Sequence, residues 1–68
     1  MSKKFLKNDI LFVEISDSKH QEILSMFDFK QTYFEHGMLF VRMSFHGDAT
    51  YKILNKQKFA LFCIKYGV

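Results

Sequence analysis

Residues 49–66 read ATYKILNKQKFALFCIKY. Whether this stretch is one helix, or a helix followed by a strand, decides the fold. Asp48 in front of it is a natural N-cap for a helix starting at Ala49, because its carboxylate can accept from free first-turn N–H groups. One reading runs that helix to Tyr66, with Gly67 terminating it. The pattern is poorly amphipathic, however. At about 100° per residue, Thr50, Lys56 and Gln57 fall among Ala49, Ile53 and Ala60, and FALFCI at 59–64 is apolar all round. The other reading ends the helix near Asn55, turns through Lys56 to Lys58, and makes FALFCIKY a short buried strand. Apolar runs of this length are not separated by periodicity alone. The strand is the favoured reading.

Upstream, HGMLFVRMSFHG at 36–47 places two His-Gly pairs around an apolar run. His36-Gly37 reads as a two-residue hairpin loop, in which both positions need positive φ. It would join a strand at 30–35 (KQTYFE) to one at 38–46 (MLFVRMSFH), setting Tyr33 opposite Phe40 and Gln31 opposite Arg42. One face of that hairpin holds Leu39, Val41 and Met43; the other holds Tyr33, Met38, Phe40 and Arg42. Residues 17–28 (DSKHQEILSMFD) read as a helix, with Ser18 and Gln21 in a capping-box pattern. Residues 9–16 (DILFVEIS) read as a strand, with Phe12 on the face opposite Leu11 and Val13. Residues 1–8 read as a flexible basic arm, leaving 9–68 as a single α+β domain.

The order expected is therefore β-α-β-β-α-β, the ferredoxin-like arrangement: a small antiparallel sheet with two helices on one face. The alternative is β-α-β-β-α with a long C-terminal helix at 49–66. Both leave the far face of the sheet open, carrying Phe12, Tyr33, Met38, Phe40 and Arg42. Exposed apolar patches of that kind mark interaction sites.

Composition sets the frame for function. The chain has 68 residues, 49% of them hydrophobic, with nine Phe, no Pro and one Cys. Only about 60% of the unfolded surface is buried in a domain this small, so its core is marginal. One cysteine excludes an intrachain disulfide, and His20, His36, His46 and Cys63 lack the paired spacing of a zinc site. No cofactor or metal is expected. Cys63 lies in an apolar run, where burial raises a thiol pKa and suppresses nucleophilicity. Nothing in the sequence carries a catalytic motif, so an enzyme is not expected. No apolar run approaches the ~18 residues of a membrane span, and the lone cysteine fits the cytoplasm. Net charge is +3, and residues 51–68 carry Lys52, Lys56, Lys58 and Lys65 with no acid. These lysines are candidate contacts for phosphate or an acidic partner.

Two partner classes follow. The first is protein: a second copy packed face to face through the open sheet, or a larger protein that this chain binds and modulates. Small Phe-, Lys- and Ile-rich, proline-free domains resemble accessory proteins of phages and other mobile elements, which often inhibit a host component. The second is single-stranded nucleic acid. HGMLFVRM at 36–43 resembles the K/R-G-F/Y-G/A-F-V-x-F/Y octamer of RNA-recognition motifs, matching at Gly37, Phe40 and Val41. LFVEIS at 11–16 is similar to the first half of that family's companion motif. The resemblance implies an open sheet on which Phe12 and Phe40 stack bases, assisted by Arg42 and the C-terminal lysines.

Overall fold

Asn8 and Asp9 both take positive φ, 54° and 65°, and turn the chain back on itself. That places a hairpin where a flexible arm was expected. The computed structural model describes residues 2–28 and 30–68, so Met1 and Phe29 lie outside the described residues. The elements are β1 (Ser2–Lys7), β2 (Ile10–Ile15), α1 (Asp17–Met26), a short 3-10 helix (Tyr33–His36), β3 (Met38–Met43), β4 (Ala49–Ile53) and α2 (Lys56–Tyr66). They form an α+β fold with one four-stranded sheet in the order β1-β2-β4-β3. Every neighbouring pair is antiparallel. This is neither the ferredoxin-like order nor its alternative. The strands come as two hairpins, β1–β2 and β3–β4, with α1 between them and α2 last.

Each departure has a local cause. Asn and Asp tolerate the left-handed region, and positive φ at both loop positions matches a two-residue hairpin turn to strand twist. The lysines of SKKFLK therefore lie on an edge strand, where charge is well placed. At 30–35 the expected strand is replaced by the 3-10 helix. The Thr32 hydroxyl accepts from Glu35 N–H at 3.4 Å, and Gly37 N–H donates to the Phe34 carbonyl at 3.1 Å. Gly37 thus ends a helical turn, and His36-Gly37 is not a hairpin loop. The second His-Gly pair is the one that turns a hairpin. Phe45, His46 and Gly47 form a three-residue loop, with Ser44 N–H donating to the Asp48 carbonyl at 2.7 Å and Gly47 at φ 89°. Glycine in the left-handed position is what such loops require.

Residues 49–66 reverse both expectations. Ala49, Tyr51 and Ile53 face the core, while Thr50, itself buried, and Lys52 share the other face, so 49–53 has the two-residue period of a strand. In α2, Phe59, Phe62 and Tyr66 form a buried stripe at helical spacing. The Asn55 side chain accepts from Lys58 N–H at 3.0 Å, so Asn55 starts this helix and does not end an earlier one. Asp48, expected to cap a helix at 49, accepts from Asp17 N–H at 3.2 Å and so serves the N-terminus of α1 instead. The α1 cap itself is Ser16, not Ser18: its hydroxyl accepts from Lys19 N–H at 3.4 Å.

The core is a single cluster on one side of the sheet. Val13 and Ile15 of β2, Met38 of β3, and Ala49, Tyr51 and Ile53 of β4 meet Ile23 of α1 and Phe59, Phe62 and Tyr66 of α2. Tyr33 joins them from the 3-10 helix. Both helices therefore cover the same face. Among the described residues, no helix is long and apolar enough to cross a membrane.

Candidate binding face

Cross-strand partners share a face, so the strand register lays out the uncovered side of the sheet as rows. One row runs Lys3, Glu14, Thr50, Arg42; the next runs Phe5, Phe12, Lys52, Leu39. Lys7 and Ile10 begin a third. The Phe5 and Phe12 rings sit side by side with centroids 5.5 Å apart and planes tilted by 48°. A groove of about 350 Å3 crosses the face, with Phe5 and Phe12 on one wall and Val41 and Arg42 on the other. Lys3, Lys7, Lys52 and Arg42 supply four cations to this face, against the one carboxylate of Glu14.

Phe12, Arg42 and Lys52, expected at the binding surface, are brought together here. Tyr33, Met38 and Phe40 are not. Tyr33 and Met38 are buried in the core, Met38 with no exposed surface. Phe40 pairs with Tyr51, so it points to the helix side, where its ring meets Tyr51 edge-on at 5.6 Å. The cause is twofold. The 30–35 strand that would have set the faces does not form, and a bulge between Phe40 and Arg42 shifts the register. Leu39 and Arg42 consequently share the open side, while Met38, Phe40 and Met43 turn towards the helices. Phe12 and Phe40 therefore do not form the stacking pair that the RNA-recognition-motif resemblance implied. Lys56, Lys58 and Lys65 belong to α2, on the covered side. Lys58 and Lys65 flank His36, and Lys65 Nζ lies 5.3 Å from the centre of the Tyr66 ring. Phe5, Lys3 and Lys7 are not expected from the sequence, because the Asn8-Asp9 turn that carries them onto the sheet lies within the expected arm.

Beneath the helices lies a second concentration of functional side-chain types. His20 is buried, and its Nε2 is 2.8 Å from the Tyr51 hydroxyl. Its ring stacks on Tyr33 with planes 1° apart. Burial holds His20 below the ordinary histidine pKa, against the opposing pull of the Asp17 carboxylate. Burial also lowers His36, which packs on Phe27, Phe62 and Tyr66, and the Lys65 and Lys58 ammonium groups add to the effect. Burial pushes Tyr51 up to about 12 and Tyr33 well above its ordinary value. The Cys63 thiol is raised by the same cause. These shifts favour neutral groups inside an aromatic core. Among the described residues, no three His, Cys, Asp or Glu side chains come together as a metal-holding group. Comparison with protein-family models, curated proteins and solved structures finds no match to this chain.

Proposed function

We propose that this chain is a non-enzymatic binding module whose open sheet face takes single-stranded RNA or DNA. The observation that carries the reading is the make-up of that face: four cations and one carboxylate around the Phe5–Phe12 pair. Single strands are held by this combination of an aromatic platform for bases and cations for phosphates. A protein partner calls for a different surface, with a charge-depleted apolar centre and a polar rim. Here Lys52 stands next to Phe12 in the middle of the face. Face-to-face packing of two copies would also oppose four cations with four others.

The test is the anisotropy of a labelled oligonucleotide titrated with the protein at rising salt. Affinity should fall along a log–log line of slope about −2 to −3, as expected for three to four phosphate contacts to a single strand. Arg42→Glu and Lys52→Glu should flatten that line. Phe5→Ala should weaken binding about 5- to 150-fold, the equivalent of about 1–3 kcal/mol of stacking. No binding at low salt, or equal affinity for a duplex of the same length, would sink the reading.

A further inference from the structure

We infer that β3 is the seam of a homodimer, in which two copies pair their β3 edges antiparallel to form one continuous eight-stranded sheet. The sheet has two edges, β1 and β3. They differ sharply in protection. β1 carries Lys3, Lys4 and Lys7, and edge lysines are a common guard against strand pairing. β3 reads MLFVRM, with Arg42 its only charge. Leu39, Phe40, Val41 and Met43 are each between 43% and 51% exposed, although they belong to a strand. At the tip of the adjoining loop, Phe45 is 99% exposed. Outward-turned N–H and C=O groups along such an apolar edge are a template for another strand.

The geometry favours a second copy as the occupant. Pairing Leu39 with Arg42 of the other copy, and Met38 with its Met43, satisfies the faces. Leu39 and Arg42 both lie on the open side, and Met38 and Met43 both lie on the helix side. Each arginine then meets a leucine, not its own duplicate, so the strand's single charge is not opposed by a like one. The Phe40–Arg42 bulges of the two copies coincide at the twofold axis, so the ladder is interrupted once. In the same register Phe45 reaches the 3-10 segment of the other copy, where Phe34 is 64% exposed. The pairing also closes. Each copy has one edge without lysines, and an isologous contact uses it up, giving a dimer and not a fibre. The inference is independent of the nucleic-acid reading, because β3 pairs through its edge and the groove lies on the sheet face.

Sedimentation velocity over a wide concentration range tests it. The expected species has twice the 8.1 kDa mass of one chain. Met43→Lys, on the helix side and away from the groove, should return it to one chain mass. Hydrogen exchange on the unaltered protein removes dependence on that variant's folding: amides of residues 39–43 should gain protection as concentration rises. A monomer at every concentration overturns the inference, as does a dimer whose β3 amides show no concentration dependence. Oligonucleotide affinity retained by the Met43→Lys monomer would separate this inference from the proposed function.

Discussion

Replacing Gly37 with alanine is expected to remove about 3 kcal/mol of stability, read as a lower urea midpoint at unchanged slope. Two effects add. Gly37 has φ 75°, which for a residue with a Cβ costs roughly 1–2 kcal/mol. An added Cβ would also sit 2.7 Å from the Asn55 carbonyl oxygen and 2.8 Å from the Asn55 Cβ. That neighbour is backbone at the start of α2, and the Gly37 carbonyl itself accepts from Leu54 and Asn55 N–H at 2.7 and 3.3 Å. Relief therefore means moving the β4–α2 junction, at a cost of about 1–3 kcal/mol. A domain of this size has only about 3–10 kcal/mol in total, at roughly 0.05–0.15 kcal/mol per residue. Gly47→Ala is the control. Its φ is 89°, but the added Cβ would meet the Asp17 carboxylate at 2.9 Å, the mobile end of a side chain. It should lose less. Equal losses at the two sites would show that the Asn55 contact costs no more than the Asp17 one.

Acidification is expected to destabilise the fold from about pH 6.5 downward, and His20 should be a main cause. Above the ordinary histidine pKa of 6.5, His20 is neutral whether the chain is folded or unfolded, so stability does not depend on its titration. Below 6.5 the unfolded chain takes up a proton that the buried ring, with its lowered pKa, does not. The unfolded state then binds more protons, and stability falls as pH falls towards the folded value. The slope has a ceiling of about 1.4 kcal/mol per pH unit for one histidine. His36 acts in the same direction, being lowered by burial and by Lys65 and Lys58. Denaturant midpoints between pH 7.5 and 5 would measure the slope in the natural protein and in His20→Phe. A steep slope that His20→Phe leaves unchanged would clear His20 of the effect.

The α+β class and an open sheet face were legible in the sequence, because strand-forming types in DILFVEIS and helix-start residues in the segment that follows are local signals. Phe12 and Arg42 lie on the open side as expected, Arg42 for a reason other than simple alternation. Its position follows from a bulge, which composition does not reveal. The missed elements share a pattern. Thr32 and Glu35 formed a capping pair inside a run whose aromatic and β-branched residues favoured a strand. Asn8-Asp9 stood between two short runs as a turn pair, outweighed by the lysines around it. At 49–66 the alternation of Ala49, Tyr51 and Ile53 was only five residues long, and Asp48 offered a plausible helix start. The decisive partner of Asp48 was Asp17, at a distance of 31 residues in the chain. Contacts of that range settle what short windows leave even.

The aromatic core has an optical consequence. The chain has no tryptophan, and Tyr33, Tyr51 and Tyr66 are all at least nine-tenths buried. Every chromophore useful for intrinsic emission is thus enclosed beneath the helices, while the open groove is lined by phenylalanine alone among the aromatic types. Tyrosine emission will report on opening of the core. A ligand seated on Phe5 and Phe12 would touch no tyrosine ring, so a flat tyrosine-quenching curve would carry no information about occupancy. Ligands for this face have to bring their own label.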